Sequence, residues 1–171
     1  RRTLFKLGAL GAGAALLPGC SPGYVDGDRT VNHGSVPEKP VSFAPIDTVR
    51  VGFVGIGGMG SVHVKNLLDI DGVELTALCD IVPEHAARAR NWVVEADQPE
   101  PTLYTRGDTD FIRMCEEEDL DLVYTATPWR WHVPVCVAAM ENGAHAATEV
   151  PAAYTLEDCW RLVETSEAKS K

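Results

Sequence analysis

Segments typical of β-strands alternate five times with segments typical of α-helices between residues 48 and 171. The strand segments are short, apolar and rich in β-branched residues, and glycine or proline marks many of the boundaries. We expect strands over residues 48–55, 73–80, 102–104, 121–127 and 145–150. We expect helices over residues 59–70, from 83 through 93, 108–118, 133–142 and 155–168. Because each crossover helix covers one face of a parallel sheet, this alternation predicts an α/β fold with a doubly wound parallel sheet.

Two of these helices carry additional local signals. In the first, Val62, Leu67 and Ile70 are spaced so that they can face the sheet. The last begins with the sequence Thr155-Leu156-Glu157-Asp158, which resembles a capping box and predicts a helix start at Thr155.

A glycine-rich loop joins the first strand to the first helix. Its residues Gly55, Gly57 and Gly60, with Gly58 and Met59 between the last two, fit the pattern GxGxxG. In this context the first glycine permits a tight turn, the second admits a diphosphate, and the third lets helix and strand pack closely. Free N–H groups at the helix start favour an anion. The loop predicts a dinucleotide site, and the alternative is a purely structural turn.

An acidic residue stands where such a site needs one. Asp80 follows Gly60 by 20 residues, at the end of the second strand. A carboxylate there accepts hydrogen bonds from the ribose hydroxyls and repels a 2′-phosphate. We therefore expect NAD rather than NADP as the cofactor.

A second polar cluster lies where the fourth and fifth strands end. Trp129, Arg130, Trp131 and His132 follow the fourth strand, and Glu149-Val150 ends the fifth. The carboxyl ends of parallel strands form the ligand crevice of such a sheet, so we expect the cluster to be exposed there. An indole face can stack on a nicotinamide or a sugar ring. The alternative is a packed aromatic corner.

The first twenty residues have the layout of an export signal. Arg1-Arg2 precedes an apolar run over 7–17 that is too short to cross a bilayer as a helix, which needs roughly 20 residues. The paired arginines resemble a twin-arginine signal, and Leu17-Pro18-Gly19-Cys20 resembles a bacterial lipobox with Cys20 as the lipidated residue. Residues 21–47, rich in proline and glycine, read as a flexible tether. We expect a periplasmic or cell-envelope lipoprotein of a bacterium.

Charge and spacing exclude several other functions. With a net charge of −10, the chain lacks the basic surface that a nucleic-acid partner needs. The spacing of the remaining cysteines suggests no zinc site and no disulfide. We expect buried side chains at Cys79, Cys115, Cys136 and Cys159, and surface or satisfied core positions for His63, His85 and His145.

These motifs resemble the glucose–fructose oxidoreductase/inositol dehydrogenase (Gfo/Idh/MocA) family over about residues 48–171. The stretch TATPWRWHVPVCVAAMENGAHAATEVPAAYTLEDCWRLVETSE, residues 125–167, resembles more narrowly the NAD-dependent α-N-acetylgalactosaminidases of glycoside hydrolase family 109. Dehydrogenases of the wider family usually have Glu-Lys-Pro where this chain has Glu149-Val150-Pro151. The missing lysine, their usual proton-transfer residue, favours the glycosidase branch.

The resemblance implies which residues contact NAD. They are Asp80, the run Trp129-Arg130-Trp131-His132, and Glu149 with Val150. Gly58 and Met59 stand where the glycosidases usually carry Leu-Arg. In such enzymes NAD oxidises the sugar at C3, the leaving group is eliminated, water adds, and the hydride returns. This route is a known exception to two-carboxylate glycoside hydrolysis.

Members of the family carry a second α/β domain with most of the sugar contacts and the acid/base residues. We expect that domain to be absent from this chain, so that the chain binds NAD but does not turn over substrate, and no catalytic residue is assigned. The expected partners are NAD, a sugar or glycoside through the second domain, and a membrane through the lipid anchor alone. A sugar oxidoreductase and a non-catalytic lipid-anchored binding module remain as alternatives, and a homo-oligomer is left open.

Overall fold

The computed structural model describes residues 45–171, which form five strands and five helices. The strands are β1 (Val49–Val54), β2 (Val73–Cys79), β3 (Thr102–Tyr104), β4 (Leu122–Thr125) and β5 (His145–Thr148). The helices are α1 (Gly58–Leu68), α2 (Pro83–Glu95), α3 (Asp110–Glu117), α4 (His132–Glu141) and α5 (Leu156–Lys169). A short 3-10 turn, Trp129–Trp131, precedes α4. The predicted order of elements is confirmed, with ends that differ by a few residues.

All five strands are parallel, in the order β3-β2-β1-β4-β5. Strand β1 therefore lies in the centre, with β2 on one side and β4 on the other. The chain moves outward in one direction through β2 and β3 and then in the other through β4 and β5. The crevice at the carboxyl end of β1 is the place where such sheets bind ligands. The doubly wound parallel sheet is confirmed.

Helices cover both faces of the sheet, each over its own apolar cluster. One cluster joins β1 and β2 to Val64 of α1 and to Ala86, Ala89 and Val93 of α2. The other joins the sheet to α3 and α4 and includes Phe111. This division follows from the right-handed crossovers, which place the helices before and after the switch on opposite faces.

The prediction that Val62, Leu67 and Ile70 of the first helix face the sheet is wrong for two of these three residues. Val62 and Ile70 are 49% and 52% exposed, whereas Val64 is fully buried and Leu67 packs at the edge of the cluster. Gly60 contacts the end of β1, and Val64, four residues further on, lies on the same face of the helix and therefore faces the sheet. Ile70 lies beyond the end of the helix.

The start of α5 is as predicted, with Thr155 in the capping position. Its hydroxyl oxygen accepts a hydrogen bond of 3.1 Å from the backbone N–H of Asp158.

Three of the four cysteines expected in the core are buried, and the expectation for the fourth is wrong. Cys79, Cys115 and Cys136 are buried, whereas Cys159 lies on the exposed side of α5. Burial raises the pKa of the thiols of Cys79 and Cys115 to about 12 and that of Cys136 to about 11. Among the described residues all four are free thiols.

The opposite end of the sheet from the crevice is closed by an ion-pair network. The Arg50 guanidinium donates to both carboxylate oxygens of Asp121 at 3.0 Å and also contacts Asp119. The pKa of Asp121 is lowered by these hydrogen bonds to Arg50. The network joins β1 to the segment that precedes β4, and these two strands are neighbours in the sheet.

Within residues 45–171, no helix has the length and apolar character needed to span a membrane. The predicted export signal, the lipidation site Cys20 and nearly all of the predicted tether lie outside the described residues, so they stay predictions.

Candidate functional site

The glycine loop occupies the crevice at the end of β1, and two of its glycines are required by their neighbours. Gly55 has a φ of +87°, a conformation that residues with a side chain rarely adopt. A Cβ on Gly60 would lie 1.8 Å from the carbonyl oxygen of Gly55, so only glycine fits there. These contacts bring the first turn of α1 against the end of β1.

The other two glycines border open space. A Cβ on Gly57 or Gly58 would meet no heavy atom within 4 Å, and Met59 beside them is 59% exposed. Helix α1 has no side-chain cap at Gly57 and no acidic residue in its first turn. The amide groups and the positive end of the helix dipole therefore face this space without a counter-charge from a capping side chain. This arrangement suits a diphosphate.

Asp80, directly after β2, is 93% buried and holds the loop in place. One carboxylate oxygen accepts the backbone N–H of Ile56 at 2.5 Å, and the other accepts that of Val82 at 2.8 Å. The ring of His85 lies 3.4 Å from the second oxygen. A carboxylate has about four acceptor positions, so Asp80 retains the capacity to accept ribose hydroxyls while it fixes the loop.

Two residues of α2 near the loop were not singled out by the sequence as part of the site. His85 approaches Asp80, and Arg88 donates to the Ile56 carbonyl oxygen at 3.3 Å and to the Ser61 hydroxyl at 3.1 Å. The proline start of α2 could have indicated His85, because a helix that begins right after Asp80 brings its first turn beside that carboxylate. For Arg88 the sequence gives no such signal.

A cleft of about 340 Å³ opens beside Asp80. Its walls come from the glycine loop, the ends of β2 and β4, and the segment before α3. Val82 and Gly107 lie along it, and Arg130 and Trp131 border its other side. The cleft is predominantly apolar, with a carboxylate inside it, as the adenosine half of a dinucleotide requires.

The aromatic segment after β4 is only partly exposed. Trp129 is 62% exposed, and the Arg130 guanidinium lies 5.6 Å from the Trp131 ring. The Trp131 ring is half-buried, edge-on to Phe111 with their centroids 5.8 Å apart. Both the predicted exposed edge and the alternative aromatic corner are therefore present, in different residues.

The expectation that His132 is exposed is wrong. Its ring is fully buried, with Nδ1 2.8 Å from the carbonyl oxygen of Pro151 and Nε2 2.8 Å from that of Thr127. Both contacts are to backbone acceptors, so the ring joins the segment after β4 to the segment after β5. Its side chain is therefore enclosed by the protein, and the predicted contact of His132 with NAD stays a prediction.

Glu149 and Val150 directly follow β5, at the same edge of the sheet as the aromatic segment. Val150 is 81% exposed, whereas the Glu149 carboxylate pairs with the Nε2 of His63 from α1. The His63 ring in turn packs against Tyr124, with centroids 5.1 Å apart. The sequence predicted a surface or core position for His63 but not this contact, which joins two residues 86 positions apart in the chain.

These residues fit a bound NAD. The space over Gly57 and Gly58 admits the diphosphate, and Asp80 can hold the adenosine ribose. Trp129 and Val150 are both exposed and follow β4 and β5, at the carboxyl ends of those strands. Among residues 45–171 no group of three histidine, cysteine or carboxylate side chains is placed to hold a metal ion.

Residues 49–171 match the model of an oxidoreductase family, GFO_IDH_MocA, described as an NAD-binding Rossmann fold. The match covers the whole of the described sheet and its helices. It confirms the predicted Rossmann fold and NAD as the cofactor of this domain.

Curated relatives carry glycosidase names. The chain is 39% identical over 168 residues to a glycosyl hydrolase family 109 protein of Saccharopolyspora erythraea, covering 98% of this chain and 36% of that protein. It is 39% identical over 148 residues to an α-N-acetylgalactosaminidase of Shewanella oneidensis, covering 82% of this chain and 32% of that protein. The chain thus spans about a third of the length of these relatives.

Solved structures with the same fold are dehydrogenases. The WlbA dehydrogenase of Chromobacterium violaceum, in complex with NADH and UDP-GlcNAcA, is 27% identical with a TM-score of 0.64, over 77% of this chain and 36% of that one. A myo-inositol dehydrogenase of Lactobacillus casei, in complex with NAD(H) and myo-inositol, is 30% identical with a TM-score of 0.62, over 72% of this chain and 34% of that one.

Proposed function

This chain belongs to the Gfo/Idh/MocA oxidoreductase family, and from that premise we propose that it is the NAD-binding part of an exported glycosidase of the α-N-acetylgalactosaminidase type. The observation that carries the proposal is the residue after Glu149. Val150 is 81% exposed at the crevice and has no group that can transfer a proton, where dehydrogenases of the family usually have a lysine. The glycosidase names of relatives at 39% identity support the same branch.

In this proposal the adenosine half of NAD lies on the β2 side of the crevice. The Asp80 carboxylate accepts the ribose hydroxyls and, by its charge, disfavours the 2′-phosphate of NADP. The amide groups of the first turn of α1 bind the diphosphate over Gly57 and Gly58, where no side chain intervenes.

The residues on the β4–β5 side would hold the nicotinamide half. Trp129 is 62% exposed there, so its indole could stack on the ring. Arg130 lines both the cleft beside Asp80 and the surface around Trp129, so it would add a positive charge between the two halves. Glu149 and Val150 close this end of the crevice. The cofactor supplies reversible hydride transfer at C3 of the sugar, which permits elimination of the leaving group and addition of water before the hydride returns.

The groups that bind the sugar and transfer protons belong, in this proposal, to the part of the longer relatives that the match does not cover. The chain's own residues then bind and orient the cofactor. A redox-neutral cycle also suits an exported enzyme, since no cytoplasmic NAD pool exists outside the cell to exchange with. We place the protein in the cell envelope, attached through Cys20.

A sugar oxidoreductase is the second candidate, favoured by the dehydrogenase names of the similar solved structures. Calorimetric titration of the chain with NAD⁺ should show saturable binding for either candidate, and it tests the cofactor site. An activity assay distinguishes the two candidates. The natural gene product, assayed on an aryl α-N-acetylgalactosaminide, should release the aglycone without net NADH. Net NADH from a free sugar would overturn the glycosidase proposal, and NAD⁺ binding without either reaction would favour a binding module.

A further inference from the structure

The contact between His63 and Glu149 joins two elements of the site that are far apart in sequence. His63 lies on α1, three residues after Gly60, and Glu149 directly follows β5. Their side chains are 21% and 28% exposed, and the His63 Nε2 pairs with one oxygen of the carboxylate. The pair therefore connects the helix of the diphosphate site to the far strand of the sheet.

The surroundings fix both partners. The His63 ring packs against Tyr124, whose own ring is stacked on Phe53 at a centroid distance of 5.2 Å. The second oxygen of Glu149 accepts the backbone N–H of Val150 at 3.3 Å. A partly buried carboxylate needs such partners, because it loses hydration and is costly to leave unpaired. Glu149 is thus held in one orientation, by His63 on one side and by the backbone on the other.

The strand order indicates which half of the ligand this carboxylate faces. A dinucleotide lies across the crevice at the switch point, with its diphosphate at the N-terminus of the first helix. Asp80 marks the adenosine side at the end of β2, on one side of β1. Glu149 directly follows β5, on the other side of β1 and beyond β4. Glu149 therefore belongs to the nicotinamide side.

We propose that His63 is a positioning residue for the nicotinamide half of the cofactor, which it serves by orienting the Glu149 carboxylate. The inference rests on the proposed function, because it presumes that NAD occupies the crevice. It assigns His63 no contact with the adenosine half. Loss of the His63–Glu149 contact should therefore lower the affinity for NAD⁺ and leave the affinity for a ligand without nicotinamide unchanged.

Two substitutions separate the hydrogen bond from the ring. His63→Phe keeps an aromatic ring against Tyr124 but cannot donate to Glu149, whereas His63→Gln keeps an N–H donor close to the position of Nε2. Calorimetric titration with NAD⁺ measures the affinity for the whole cofactor, and titration with ADP measures the affinity for its part without nicotinamide. We expect H63F to lower the affinity for NAD⁺ about tenfold and that for ADP less than twofold, because one hydrogen bond to a charged group is lost. H63Q should restore most of the NAD⁺ affinity.

A combined variant tests whether His63 acts through Glu149. In a Glu149→Gln background, H63F should cause little further loss of NAD⁺ affinity, because the carboxylate it orients is gone. The control is His145→Gln, at the opposite end of β5, which should change neither titration. If H63F does not fold by circular dichroism, His63→Asn, whose shorter amide does not reach Glu149, carries the same expectation.

The outcomes separate the two proposals. If the unchanged protein binds ADP but not NAD⁺, or neither ligand, the proposed function fails. If it binds NAD⁺ and H63F weakens both ligands equally, His63 only stabilises α1 and the inference is overturned. Unchanged NAD⁺ affinity in H63F, or a full additional loss in the E149Q background, overturns it as well.

Discussion

Gly60 offers the sharpest test of how the loop is built. In Gly60→Ala the new Cβ would lie 1.8 Å from the Gly55 carbonyl oxygen and 3.2 Å from Cε1 of Phe53. The first of these atoms is backbone, so α1 must move away from β1. Overpacking of this kind costs about 3 kcal/mol at its upper range, and the higher helix propensity of alanine returns up to about 1 kcal/mol. We expect a net loss of about 2 kcal/mol in the free energy of unfolding.

Gly57→Ala is the matched control, because its Cβ meets no heavy atom within 4 Å. Because Gly57 is the N-cap of α1 and alanine caps less well than glycine, we expect a loss of at most about 1 kcal/mol in its free energy of unfolding, smaller than that of G60A. Its Cβ enters the space assigned to the diphosphate, however, so its NAD⁺ affinity should fall at least about tenfold. Urea unfolding followed by circular dichroism measures stability, and calorimetry measures binding. A G60A variant as stable as the original protein, or a G57A variant with unchanged NAD⁺ affinity, would refute the reasoning.

Three further outcomes follow from the described contacts. The pKa of Asp121 is lowered by Arg50, so this pair stabilises the fold above the unfolded carboxyl pKa of about 4 and stops doing so as pH falls through the lower folded value. When urea unfolding is measured at a series of falling pH values, the free energy of unfolding should therefore decrease less in Arg50→Met than in the original protein. An equal decrease in the two proteins contradicts this. Among the cysteines of residues 45–171, Cys159 should be alkylated first by iodoacetamide at pH 8, as peptide mapping would show, because the other three are buried with raised pKa values. His132→Leu should lose about 1–3 kcal/mol in urea unfolding, since a neutral imidazole donates to one of the two carbonyl oxygens beside it and that acceptor is left unpaired; a loss below about 0.5 kcal/mol would mean that water or a backbone shift replaces the donor.

Asp80 has two roles that the same carboxylate can fill together. Its bonds to the N–H groups of Ile56 and Val82 fix the glycine loop before any ligand arrives. Its remaining acceptor positions are available to ribose hydroxyls. Such an arrangement reduces the ordering that binding requires, and preorganised sites bind more tightly for that reason.

The order of elements could be predicted from the sequence because its signals are local. β-Branched runs, the glycines of the loop and Pro83 each act on their immediate neighbours, and they determined strand, turn and helix at the observed places. The burial of Val64 rather than Val62 was not predictable in this way. It depends on which face of α1 meets β1, and Gly60 lies on that face with Val64.

The parts of the site that the sequence missed depend on contacts between distant residues. The buried ring of His132 contacts the carbonyl oxygen of Pro151, 19 residues further along the chain. His63 contacts Glu149, 86 residues further along. No pattern within a segment indicates such a pair, since either histidine could equally lie on the surface. The predicted roles of Trp129 and Arg130 toward NAD remain predictions, because they concern a ligand rather than the fold.

Parallel titration with NAD⁺ and NADP⁺ tests most directly whether the crevice holds a dinucleotide with its ribose on Asp80. The protein should bind NAD⁺ saturably and NADP⁺ at least about tenfold more weakly, because the 2′-phosphate would approach a buried carboxylate. In Asp80→Asn, checked for folding by circular dichroism, the difference should shrink. Equal affinity for the two cofactors in the original protein, or no saturable binding of either, would contradict the account.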